Sequence, residues 1–460
     1  MASALKRRGE MKRRHMTRRA THQSMPSLAS CGCGIAHVSV QGITERLKLL
    51  CEQAPVSGAA ADAASDGRAT AAAAALAEAT ARLTLRLPAA SQAAAVGSLV
   101  AAPLSVLSAA AMNPAAARAP AVTFSLHTLS ATLRFLEDVS DSPAAASSSP
   151  ALAAIEQAWT TLQTIAGSPL AQTRSISQGL CDVTSAAVTS AGKHRSSLIS
   201  PALTALRTLL TAAPDAAPIA TLARVVELSG DGGGVAPEQR AALHAALPDF
   251  LTAARTACTP PNPPNPELSA EALTLISRWL MFHPSALVKG GFLDSSLGMA
   301  LEALAAPERA VVQNALNLLT MLLTPNPMQR RLSQEDPVAA AALVAAAASR
   351  ADGIARQLLR CLCDKCPQDS WRTVGRVMHA MLTTAGVAEP AMHAVAEELV
   401  GGGFAAVERT PLTAQDCERF VQLCRGSGQM TAMRFMSMVK DFAGIAHGMN
   451  ISDDLVAYEL

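Results

Sequence analysis

Aromatic side chains are scarce. They make up 3% of the 460 residues, with three Trp and a single Tyr, Tyr458. Sandwiches, barrels and propellers draw their strands from aromatic and β-branched residues, so the shortage disfavours those folds. Charge is low too, 16% against a hydrophobic share of 50% in which Ala is the largest contributor. Such a chain has high helix propensity but small side chains to bury. The expectation is an all-α protein whose helices approach closely.

The chemical signatures of common enzymes are missing as well. There is no phosphate-binding Gly loop followed by Lys-Ser/Thr, no nucleophile elbow, no HExxH pair and no acid-rich metal motif. Gly230-Asp231-Gly232-Gly233-Gly234 has the glycines of a nucleotide cradle but neither a preceding strand nor a following Lys, and Gly401-Gly402-Gly403 reads as a helix stop. The ten His residues are scattered, and lone ones such as His127, His244 and His447 read as packed or solvated groups. The chain reads as a non-enzyme without a cofactor.

Ten Cys without a secretory signal read as reduced thiols of an intracellular protein, with no structural disulfide. The densest group, Cys361, Cys363 and Cys366 with His379 and His393 downstream, holds zinc-type ligands. On a helix those thiols point about 200° and 300° apart, which favours packing over ligation. Cys31 and Cys33 lack a second ligand pair. Cys417 and Cys424 share a helix face with Phe420 and Val421 and read as core. Trp159, Trp279 and Trp371 read as fillers of interhelical gaps, with interface anchors as the alternative.

No long run is convincingly membrane-like. Leu87 to Ala117 is uncharged, but Pro88, Gln92, Pro103, Asn113 and Pro114 interrupt it and it relies on Ala instead of Leu. Charge is instead concentrated at the start, where eight Lys and Arg stand against Glu10 within the first 25 residues. Taking that +7 from the whole-chain +2 leaves the body at −5, which does not suit a nucleic-acid binder. Residues 1–39 read as a disordered basic head: a nuclear-localisation patch, a transit peptide, or a mis-assigned start ahead of a truncated coding region.

From Ile43 onward, amphipathic segments alternate with short Pro, Gly, Ser or Asp punctuation. The pattern predicts helices near 43–53, 69–87, 91–111, 121–138, 150–167, 170–191, 195–213, 216–229 and 236–257. It continues near 267–282, 285–305, 307–323, 336–349, 352–366, 368–385, 389–402, 412–425 and 429–447. Pro150, Pro237 and Pro307 suit first helical turns, while Gly230–Gly234 and Thr259–Pro266 read as loops. Paired, the helices give a unit of about 40–50 residues, the HEAT or armadillo period. Residues 40–460 are thus expected to form an α-solenoid of eight or nine antiparallel helix pairs wound into a superhelix, a shape suited to gripping a macromolecule.

Several stretches are similar, in order, to one family of such arrays. Leu273 to Val288, LTLISRWLMFHPSALV, resembles a late helix and Pro turn of the importin-β superfamily, and more narrowly of its transportin-SR and importin-thirteen branch. Ala73 to Leu87 before Pro88, Ala310 to Leu323, Leu412 to Phe420, and Met433 to Phe442 with Gly448 resemble further helices of that branch, the last two its C-terminal close. The resemblance implies the C-terminal half of a nuclear import receptor, without the N-terminal repeats that bind Ran-GTP in the family. It implies shuttling between nucleus and cytoplasm, protein cargo of basic or Arg-Ser-rich kind, and weak contacts with Phe-Gly nucleoporins, with neither nucleic acid nor membrane as a direct partner. The branch reads phosphorylated Arg-Ser tails with an Arg-rich helix. The matching region, 170–191, supplies only Arg174, with Lys193, Arg195 and Arg207 following, so cargo contact is expected at these four residues. A HEAT or armadillo scaffold of another assembly is the alternative.

Overall fold

The computed structural model describes residues 42, 63–87, 89–136, 150–230, 235–259, 262, 264–364, 366–401, 410–450 and 452–458. The basic head, the 43–53 segment and most of the Gly230–Gly234 run lie outside them. The described residues fold as nineteen α-helices and no strand. In chain order these are α1 (Ala63–Thr84), α2 (Ala89–Met112), α3 (Ala119–Arg134), α4 (Pro150–Ala166), α5 (Arg174–Ser190), α6 (Ser196–Ala212) and α7 (Ala216–Leu228). There follow α8 (Pro237–Cys258), α9 (Pro266–Phe282), α10 (Pro284–Lys289), α11 (Leu293–Leu304), α12 (Arg309–Leu323) and α13 (Pro327–Glu335). The last are α14 (Pro337–Ser349), α15 (Ala351–Cys363), α16 (Trp371–Thr383), α17 (Ala388–Val400), α18 (Ala414–Arg425) and α19 (Ala432–Ala446).

Helix starts follow cap chemistry. Asp215, Asn265, Asn326, Asp336 and Thr431 each accept a backbone N–H of the helix they precede, satisfying a donor that has no partner inside the helix. Thr413 and Asp416 form a full capping box on α18. Pro150 and Pro237 open α4 and α8 as expected, whereas Pro307 stands outside α12, whose N-cap is Glu308.

Two expectations need correction. The 285–305 segment is two helices, because the chain turns at Gly290 and Gly291, the latter at φ +73°, a conformation that side-chain-bearing residues rarely adopt. Helix α13 was not expected at all, although Asn326-Pro327 is a cap and first-turn pair.

Most helices pack on a chain neighbour and on a helix further along. One row runs α1, α3, α5, α7, α9, α12, α16, α19, every member against the next. The other runs α2, α4, α6, α8, then α11, α15, α17, α18, with α8 joined to α11 through an Arg255–Glu302 ion pair at 2.6 Å. Helices α13 and α14 are an insertion lying against α10, α11 and α12. Leu and Ala from both rows make one continuous core that reaches from Ala81 to Leu455. Small residues let the rows close up: a Cβ at Gly179 of α5 would stand 2.9 Å from Leu126 Cβ of α3. In α2, Ser91–Met112 is long and apolar enough to cross a membrane, and half of that stretch is buried inside the array.

Candidate protein-binding surface

The three described cations expected to touch cargo are already engaged. Arg174 opens α5 and reaches along its row, pairing with Asp215 at 3.3 Å and Glu267 at 2.5 Å; these carboxylates, Asp215 foremost, raise its pKa. Arg207 sits on α6, in the opposite row, and pairs with Asp249 of α8. Arg195 donates from Nε to the Gly192 carbonyl at 2.6 Å and from Nη1 to the Leu228 carbonyl at 2.7 Å, so it caps the end of α7. The side chain of Lys193 lies outside the described residues. Arg174 and Arg207 occupy different rows, so sequence proximity does not make one stripe of them.

The sulfur cluster is interior. Cys361, Cys363 and Cys366 are all buried at the end of α15, and Cys366 N–H donates to the Cys361 carbonyl at 2.8 Å. A hydrogen bond with Cys361 and burial push the Cys366 thiol well up, burial does the same to Cys363, and Cys417 is pushed up to about 11. These thiols are protonated and poorly nucleophilic at neutral pH. Among the described residues no three His, Cys, Asp or Glu side chains are grouped to hold a metal ion. The three Trp side chains are core, and Trp371 donates from Nε1 to the Cys366 carbonyl at 3.2 Å while stacking on His447.

What the sequence did not reveal is an apolar cleft, open to solvent, where the α13–α14 insertion meets the ends of α12 and α16. Its walls are Leu322, Leu323, Leu332, Leu343, Val344 and Val387. It stays open because α14, PVAAAALVAAAAS, offers mainly Ala, too short to fill the gap. Gln329 stiffens one rim by donating from its side-chain amide to the Leu322 carbonyl at 2.5 Å and the Met321 carbonyl at 3.2 Å. Asp336 caps α14 and pairs with Lys289 at 2.7 Å, an interaction that holds its carboxyl below the usual range. Apolar surface continues outward, since Val338 and Val344 are exposed on an uncharged helix. The signal present in the sequence was that run itself, an apolar helix without a charged face.

A scan against known protein families finds no match. A search among characterised proteins likewise finds no related sequence.

Proposed function

We propose that this chain is an α-solenoid that binds other proteins, and that it serves as the cargo-binding half of an importin-β-type nuclear transport receptor. The apolar cleft on a two-row helical array carries the protein-binding part of this reading: an open, uncharged pocket with a polar rim suits a single apolar side chain of a passing peptide. Its walls suit the phenylalanine of a Phe-Gly repeat. The nuclear part rests on the ordered resemblance described above. Under it Arg174, Lys193, Arg195 and Arg207 contact cargo, and acidic or phosphorylated groups exchange with Asp215, Glu267 and Asp249.

The test is a capture experiment from nuclear extract with the full chain as bait, with and without excess GTP-locked Ran, alongside titration with a Phe-Gly peptide. The reading expects nuclear cargo held regardless of Ran, and peptide binding that Val344→Glu weakens about tenfold by placing a charge in the cleft. Capture of neither cargo nor pore proteins sinks the transport reading. The second reading, a scaffold in another assembly, is favoured by the internal pairing of Arg174 and Arg207; it expects a fixed set of partners that co-purify at constant ratio.

A further inference from the structure

Along the array, Arg side chains tend to meet an acid on a neighbouring helix: Arg174 with Glu267, Arg255 with Glu302, Arg309 with Asp369, Arg350 with Asp294. At the end of the first row a group of cations lacks such an acid. On α16, Arg372 and Arg376 are exposed one turn apart, and on α19 Lys440 is exposed. None of the three forms an ion pair among the described residues. Nearby acids are occupied, since Asp369 pairs with Arg309 and Asp441 accepts the Tyr458 hydroxyl at 2.5 Å.

The two helices place these cations on one face. They cross where Gly375 lies against Met436, a Cβ there standing 3.0 Å from Met436 Cα. Relative to that crossing, Val374, Val377 and Met378 of α16 and Met438 of α19 are buried toward the core, while Phe435 and Val439 are buried against α16 itself. Helical periodicity then turns Arg372, Arg376, Met433 and Lys440 outward together. Met433 is 75% exposed, a large apolar side chain held in water on this outward face, about two turns of α19 from Lys440.

We propose that this face of α16 and α19 is a docking surface for an acidic segment of a partner protein, one that sets an apolar side chain among its Asp and Glu residues. The cations match the carboxylates, and Met433, flexible and polarizable, takes the apolar side chain. A nucleic acid fits less well: three cations neutralise few phosphates, and the patch has no exposed aromatic ring on which a base can stack. The proposal stands whether or not the chain carries nuclear cargo, because it uses neither the cleft nor Arg174, Lys193, Arg195 and Arg207.

The experiment is fluorescence anisotropy on the full chain with three labelled probes: a peptide of alternating Glu and Leu, its Lys and Leu counterpart, and a single-stranded RNA of similar length. The Glu peptide should bind, weaken with added salt, and lose about tenfold in affinity in the double variant Arg376→Glu with Lys440→Glu. Met433→Ser should weaken it severalfold without changing the salt dependence. Arg118→Glu, an exposed charge reversal far along the chain, should leave binding unchanged, and matching thermal melts by circular dichroism show that the variants fold. Equal binding by the Arg118 and Arg376/Lys440 variants overturns the proposal. So does tighter binding of the RNA or of the Lys peptide.

Discussion

A buried carboxylate is the most constrained charge among the described residues. Glu398 of α17 is 1% exposed and is held by Arg356 at 2.9 Å and Arg360 at 2.7 Å, both reaching across from α15. Taking it away leaves two guanidinium groups facing a void, so Glu398→Ala should cost about 2 kcal/mol in urea denaturation, less than a wholly buried pair because both Arg side chains keep contact with water. Its neighbour Glu397 pairs with Arg356 from the surface, and Glu397→Gln should leave the midpoint nearly unmoved. The Trp residues offer a second comparison. Trp279 Nε1 is buried without a hydrogen-bond partner, whereas Trp371 Nε1 has the Cys366 carbonyl. Trp371→Phe should therefore cost about 1 kcal/mol more than Trp279→Phe in the same measurement, the worth of one hydrogen bond. The sequence placed both rings in the core; their different polar environments depend on loops it did not reveal.

At the scale of elements, close approach and packed imidazoles set the tolerances. Gly179→Ala raises the helix propensity of α5 by about 1 kcal/mol, yet the new Cβ meets Leu126 Cβ at 2.9 Å. Separating α3 from α5 should outweigh the gain and leave the variant about 1 kcal/mol less stable in urea. Between α8 and α9, His244 and His283 stand edge to face with ring centres 4.7 Å apart, and Ser229 Oγ lies 3.1 Å from His283 Nε2. Burial, with Arg240 nearby, lowers the His244 pKa from 6.5. The unfolded chain then takes up that proton more readily than the folded one. Stability from this site is complete above pH 6.5 and is lost as pH falls below it. The melting temperature should drop between about pH 7.5 and about pH 5.5, and His244→Phe should flatten that drop.

At the scale of the molecule, helices that pack on neighbours one to four places along make contacts that stay local in sequence. The α-solenoid reading makes such an array extended, and its helix pairs bury their apolar faces only against adjacent pairs. Small-angle scattering should give a radius of gyration well above the roughly 23 Å of a compact chain of this length. A value near that figure would mean that the rows curl into a globule, leaving no open surface of solenoid type.

The sequence by itself determined the class of fold and nearly every helix. Scarce aromatics, abundant Ala and Leu at helical spacing, and Pro, Asn or Asp at helix starts are local signals, and local hydrogen bonding obeys them. It also determined that Cys417 and Cys424 are core, because two turns of helix bring them to one face with Phe420. The tertiary structure alone decided the pairing of charges. Arg174 reads as a free cation in its own helix, and only the stacking of α5, α7 and α9 brings Asp215 and Glu267 to it. It also decided where the array stays open, since the cleft beside α14 arises from segments more than sixty residues apart whose side chains fail to meet. Arg372 and Arg376 look no different in sequence from Arg356 and Arg360. Whether an acid stands on the opposing helix is a property of packing between segments distant in the chain, and it separates the cations that hold the fold together from those left to meet a partner.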